Sequence, residues 1–115
     1  MGSIIYAECE CGYKKDRMLI GGGMANFNRR CNFPYYCDTC NAIIVHNAFI
    51  EPAYCTCGNL LVRYDNEDLS TKNPETRICF TWGANNQKLI LTHNKYLCPE
   101  CKKYGLEWSA SGCWD

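Results

Sequence analysis

Eight of the eleven cysteines in this 115-residue chain stand in four close pairs. Cys9 and Cys11 have one residue between them, and Cys37 and Cys40 have two. The order then repeats with Cys55 and Cys57, followed by Cys98 and Cys101. Thiolates are soft ligands, and four of them complete the tetrahedron of a zinc ion. Two pairs therefore supply one ion, and the eight cysteines are the candidate ligands of two sites, with Zn2+ expected at two per chain and iron as the alternative. Four thiolates leave no position for water or substrate, so the chemistry expected is structural. No catalytic residue and no enzymatic activity are expected.

Disulfides compete with metal for the same residues. A bridge within Cys-x-Cys closes a strained small ring, and an odd cysteine count fits pairing poorly. The opening MGSIIYAECE has no basic stretch followed by an apolar one, and the longest apolar runs are too short for a membrane span. A cytoplasmic chain, where thiols stay reduced, is the expectation, and it favours metal. Formal charge is zero. Eight thiolates and two divalent ions bring the loaded chain to about −4, which gives no electrostatic help toward nucleic acid or anionic membrane. No membrane association is expected.

The positioning elements repeat as well. YAECECGY at Tyr6 to Tyr13 matches PAYCTCGN at Pro52 to Asn59, and PYYCDTCN at Pro34 to Asn41 matches KYLCPECK at Lys95 to Lys102. The offsets are 46 and 61, so the second copy is longer by about fifteen residues. The polar stretch from Asp65 to Thr76 is the expected insertion, read as a loop. Ser3 to Ala7, Lys14 to Ile20, Leu60 to Tyr64, Arg77 to Trp82, Gln87 to Leu97 and Leu106 to Ser109 read as strands. Gly83 to Asn86 reads as a hairpin turn. No segment has sustained helical periodicity. Two units follow, 1–48 and 49–115, each near the size that needs a staple. Sequential pairing is expected, because a duplicated unit binds its own metal: Cys9, Cys11, Cys37 and Cys40 in one site, the later four in the other. The alternative joins the two Cys-x-Cys pairs in one site and the two Cys-x-x-Cys pairs in the other.

Gly12, Gly58 and Asn41 each follow the second cysteine of a pair, where a left-handed backbone lets N–H groups point at sulfur; Lys102 is the exception by residue type. On these residues the chain resembles the zinc-ribbon, or rubredoxin-like, group, departing from it by the short Cys-x-Cys of each copy. The resemblance implies a small, mainly β, metal-stapled fold of two tandem zinc ribbons, each an antiparallel sheet with two cysteine knuckles. The order Cys-x-Cys then Cys-x-x-Cys also resembles the zinc switch of a redox-regulated bacterial chaperone. Three roles are expected: a protein-interaction module first, a single-stranded nucleic-acid binder second, and a redox-sensing or rubredoxin-like electron-transfer protein third.

The remaining candidates are weaker. Cys79 reads as a buried strand cysteine and Cys113 as the best reactive or dimer-forming thiol. Cys31 follows Arg29 and Arg30, which would lower its pKa, although an inert strand cysteine is the plainer reading. His46 and His93 read as ordinary polar positions. Gly21, Gly22 and Gly23 read as a hairpin tip, since no Gly-Lys-Ser/Thr follows. Lys14, Lys15, Arg17, Phe27, Arg29, Arg30 and Phe33 form the set that would bind a single strand.

Overall fold

The computed structural model of this chain describes residues 2–21, 31–50, 52–71, 78–84 and 87–114. It is mainly β: β1 (Gly2–Cys9), β2 (Lys14–Gly21), β3 (Asn32–Cys37), β4 (Ala42–Asn47), β5 (Val62–Arg63), β6 (Ile78–Ala84), β7 (Gln87–Thr92), β8 (Tyr96–Leu97) and β9 (Tyr104–Trp114). A single 3-10 turn, Glu67–Leu69, interrupts the strands among the described residues. It lies within the stretch expected to be an unbroken loop, of which residues 72–76 are outside the described set.

One antiparallel sheet runs in the order β4-β3-β2-β1-β9-β8, with β5 added to β3. β6 and β7 form a separate hairpin, and Gly83 and Ala84 belong to it as β6 rather than to the turn. Strand β1 is the centre of the arrangement. It pairs with β2 on one side and with β9 on the other, so the first and last described strands lie side by side. The reason is visible in the alternation along each strand. Ile5, Ala7 and Cys9 face inward from β1, Leu106 and Trp108 from β9, while Glu8 and Glu107 face outward. Ala7 lies opposite Trp108, so the smallest inward residue of β1 makes room for the largest of β9.

The core gathers around Trp108. Its ring meets Tyr64 edge-on at 5.1 Å and Tyr96 at 5.7 Å between centroids, and Tyr36 lies 6.2 Å from Tyr64. Such edge-to-face packing adds to the burial of these large side chains. Ile5, Ile20, Phe33, Tyr35, Ile43, Leu89, Leu91 and Leu106 are among the other buried side chains of this core.

Register shifts bend the sheet, one between β8 and β9 and two along β1. Ile5 pairs with Met18 and Ala7 with Lys15, so Asp16 and Arg17 together oppose Tyr6. Arg17 takes φ 51, the left-handed region that a bulge usually reserves for glycine. Ile4 pairs with Gly112 and Ile5 with Ala110, leaving Ser111 as the extra residue, its hydroxyl donating to the Ile4 carbonyl at 3.3 Å.

The run from Gln87 to Leu97 is not one strand. It breaks after Thr92, where the Thr92 N–H donates to the Tyr96 hydroxyl at 3.0 Å and the Asn94 N–H donates to Thr92 Oγ1 at 3.3 Å. These side-chain bonds compete with the ladder and turn the chain. Leu60 to Tyr64 is likewise divided, into a Tyr54–Leu60 bridge and β5.

Candidate metal centres

The four cysteine pairs all sit in tight turns, three of them at strand ends and that of Cys55 and Cys57 within the isolated Tyr54–Leu60 bridge. Cys9 ends β1, and its N–H donates to the Tyr13 carbonyl at 2.9 Å, while the Gly12 N–H donates back to the Cys9 carbonyl at 3.0 Å. The third turn has the same bonds: Cys55 N–H to the Asn59 carbonyl at 2.9 Å, Gly58 N–H to the Cys55 carbonyl at 2.9 Å. Gly12 and Gly58 take φ 102 and 92, which only glycine adopts without strain. The short Cys-x-Cys spacing therefore makes one consistent knuckle, used twice.

Cys37 ends β3 and Cys40 precedes β4, with the Cys40 N–H 3.4 Å from Cys37 Sγ. Cys98 and Cys101 join β8 to β9, closed by the Cys98 N–H on the Lys103 carbonyl at 2.9 Å and the Lys102 N–H on the Cys98 carbonyl at 3.0 Å. Asn41 takes φ 52 and Lys102 φ 61. Lys102 is thus no exception in conformation: all four turns place the residue after their second cysteine at positive φ.

The eight cysteines gather into two groups of four, but the grouping corrects the expected one. Cys9 and Cys11 meet Cys98 and Cys101; Cys37 and Cys40 meet Cys55 and Cys57. Neither the sequential assignment nor the alternative that joined like pairs holds. The cause is the β1–β9 ladder, which carries the last knuckle to the first and leaves the two middle knuckles to each other. The connectivity is nested, with an outer site and an inner site. Each contains one pair of each spacing, matched in the same way. The first cysteine of Cys-x-x-Cys faces the second of Cys-x-Cys, at 3.6 Å for Cys98 and Cys11 and 3.7 Å for Cys37 and Cys57. The remaining facing sulfurs, Cys101 with Cys9 and Cys40 with Cys55, are both 3.7 Å apart.

These separations are far beyond a disulfide bond, which is about 2.05 Å. A tetrahedron with metal–sulfur bonds of about 2.3 Å has edges of about 3.8 Å. Within each group every sulfur lies within 4.8 Å of every other. Both groups therefore fit one tetrahedral thiophilic ion each, as a zinc-ribbon-like site requires, and the same geometry accepts iron. Cys9, Cys98, Cys37 and Cys55 are buried, whereas Cys11, Cys40 and Cys57 are exposed and Cys101 is half-buried. Each site has one face on the core and one toward solvent.

The sulfur environment is split. Backbone N–H groups hold three thiols below the ordinary range: that of Cys40 acts on Cys37, that of Lys103 on Cys101, and that of Cys57 on Cys55, which falls to about 6. Burial pushes Cys9 up to about 12 and raises Cys98. N–H bonds to sulfur spread thiolate charge and orient the ligand. Around the inner site, Asn59 Nδ2 donates to Asp38 at 2.6 Å and lies 3.9 Å from Cys37 Sγ, tying the two knuckles together. In the outer site Gly105 is tightly placed, because a Cβ there would stand 3.3 Å from Cys9 Sγ.

Outside the sites, Cys31 is fully buried, with its N–H bonded to Asn47 Oδ1 at 3.1 Å. Burial pushes its pKa up to about 12 despite the opposing pull of Arg63, while Arg29 and Arg30 lie outside the described residues. Cys79 lies in β6 and Cys113 in β9, with side chains outside the described set. Neither histidine joins a cysteine group; His46 Nδ1 lies 2.9 Å from the Asn47 carbonyl oxygen. Gly21 ends β2 at φ 94, and Gly22, Gly23, Phe27, Arg29 and Arg30 fall outside the described residues. Phe33 is fully buried, which removes it from any stacking surface.

Sequence reasoning missed the polar contacts that join the two sites, above all Tyr64. Its sequence signal was a polar-tipped aromatic shortly after the apolar run Leu60 to Val62. Among the described residues, no helix is long and apolar enough to cross a membrane. No family model, no curated protein and no solved structure matches this chain.

Proposed function

We propose that this chain is a structural-zinc protein whose two sites staple a zinc-ribbon-like fold, and that the fold serves to bind another protein. The observation that carries the first part is the closure of each site by four sulfurs at tetrahedral spacing. A saturated ion has no position for substrate, so the reading excludes catalysis at the metal. On this reading the repeated sequence is a duplicated ribbon whose copies have exchanged one knuckle each, which accounts for the identical ligand matching.

Protein binding is supported by the inner Cys-x-Cys knuckle. Tyr54 and Leu60 face each other across its bridge and are 57% and 54% exposed, with Ile50 at 55% a few residues before them. Large apolar side chains held side by side at the surface suit a partner's apolar face. Nucleic-acid binding is less well supported, given the negative charge of the loaded chain and the burial of Phe33.

Elemental analysis of protein purified without added metal tests the first part. Two zinc per chain is expected; about two iron, with visible absorption from iron–thiolate bonds, would replace the structural reading with electron transfer. For the second part, Tyr54→Ser with Leu60→Ser should retain both metals and lose a partner that the unaltered protein holds in native extract. Salt-sensitive retention on single-stranded nucleic acid, unaffected by those substitutions, would overturn protein binding in favour of the other reading.

A further inference from the structure

The two sites do not stand apart. Among the described residues three hydrogen bonds join them, each from a residue beside or following a knuckle of one site to a residue beside a knuckle of the other. Tyr13, two residues after Cys11, accepts at its hydroxyl the N–H of Ile43, three residues after Cys40, at 3.2 Å. Lys102, directly after Cys101, donates from Nζ to the hydroxyl of Tyr36, directly before Cys37, at 2.7 Å. Tyr64, which follows the inner Cys-x-Cys hairpin, donates its hydroxyl to the carbonyl of Leu97, directly before Cys98, at 2.9 Å.

We propose that these three contacts couple the outer and inner sites, so that the chain takes up and releases its two metal ions as a pair. The inference rests on the reading of both groups as metal sites. A knuckle is a short turn whose geometry is fixed by its ion. When the outer site loses metal, the turn from Cys98 to Cys101 is freed and the Leu97 carbonyl with it. Tyr64 then keeps a fully buried hydroxyl without its acceptor, in a ring locked against Trp108. A buried donor left unmade is costly, and relieving it means loosening β5, which pairs with β3 at Tyr35 and Tyr36, next to Cys37. The reverse path is equally open: loss of the inner ion frees the turn before Ile43 and the Tyr36 partner of Lys102. Coupling of binding free energies is reciprocal, so each ion strengthens the hold on the other by the same factor.

The test is native mass spectrometry of the reduced, metal-free chain given one equivalent of Zn2+. Independent equal sites leave about half of the chains with one ion, whereas coupling of about tenfold lowers that share to about a quarter. The expected spectrum is dominated by chains with no ion and chains with two. A one-ion share of about half would overturn the coupling and leave the metal sites standing. No uptake of zinc would overturn both. Tyr64→Phe keeps the ring and removes the hydroxyl; with excess zinc it should still bind two ions, while its one-ion share rises toward half. Lys102→Met alters an exposed side chain with little risk to folding and should raise that share by a smaller step. An unchanged low share in both variants would overturn the assignment to these contacts.

Discussion

Cys9 and Cys101 are 92 residues apart in the chain and 3.7 Å apart through their sulfurs. The nested connectivity follows from that relationship and makes a sharp prediction. Cys11→Ser with Cys98→Ser removes two ligands of one site and keeps all four inner ligands, so this double variant should hold one ion against a moderate chelator, about tenfold more weakly if the sites are coupled. Cys11→Ser with Cys37→Ser leaves three thiolates in each site and should hold none tightly. Sequential pairing requires the opposite result, so metal content after dialysis decides between them.

Gly105 has room for a hydrogen where any other residue has Cβ. Gly105→Ala would place a methyl group 3.3 Å from Cys9 Sγ. Overpacking of this kind costs about 1–3 kcal/mol. The outer site should lose about tenfold or more in zinc affinity, read by competition with a chromophoric chelator. An affinity equal to that of the unaltered protein would show that Cys9 yields without cost.

Arg17 is exposed and holds a left-handed backbone in the β1–β2 bulge. For an L-residue that conformation costs about 1–2 kcal/mol, partly offset in glycine by its greater freedom when unfolded. Arg17→Gly should therefore stabilise the protein by about 0.5–1 kcal/mol and raise Tm by about 2–5 °C. A lowered Tm would mean that the arginine side chain stabilises the bulge more than its backbone strains it.

Cys31 should behave as a buried neutral thiol. Its pKa is pushed up to about 12, against about 8.5 for a thiol in an unfolded chain. A raised native pKa favours folding fully below the unfolded value and loses that contribution as pH rises toward the native one. Stability should fall from about pH 8.5 upward, by at most about 1.4 kcal/mol per pH unit from this group. Thermal melts from pH 7.5 to 10.5 should show a shallower decline in Cys31→Ala than in the unaltered protein. At pH 8, iodoacetamide should leave Cys31 unmodified in the folded chain.

Much of the site was legible because its signal is chemical and local. Eight thiol side chains at knuckle spacing, with glycine or asparagine after three of the pairs, identified the candidate ligands without any knowledge of the fold. Which pair meets which was not legible, because it depends on β9. That strand was expected from Leu106 to Ser109 and spans Tyr104–Trp114, with pairing to β1 that no local pattern encodes. β3 and β4 were also not assigned as strands. Pro34 and the polar ends of each segment obscure the alternation, and their pairing is enforced by the knuckle between them. The positive φ of Lys102 was hidden for a related reason: the turn dictates the backbone, and the residue bears the strain.

The nesting also acts on a time axis. A ribosome releases the chain from its N-terminus, so Cys9 and Cys11 emerge first and their partners Cys98 and Cys101 last. At about 5–20 residues per second, the 87 positions from Cys11 to Cys98 take about 4–17 s to make. The inner ligands emerge in that interval, with only 15 positions from Cys40 to Cys55. Cys9 and Cys11 are already out when Cys37 and Cys40 emerge, so for those 15 positions the first knuckle is their available partner, and the inner site forms by taking Cys37 and Cys40 from it once Cys55 and Cys57 follow. A full-length chain released from denaturant has no such sequence of events. All four knuckles then compete at once, and the pairing of neighbours along the chain loses the head start that vectorial synthesis gives it.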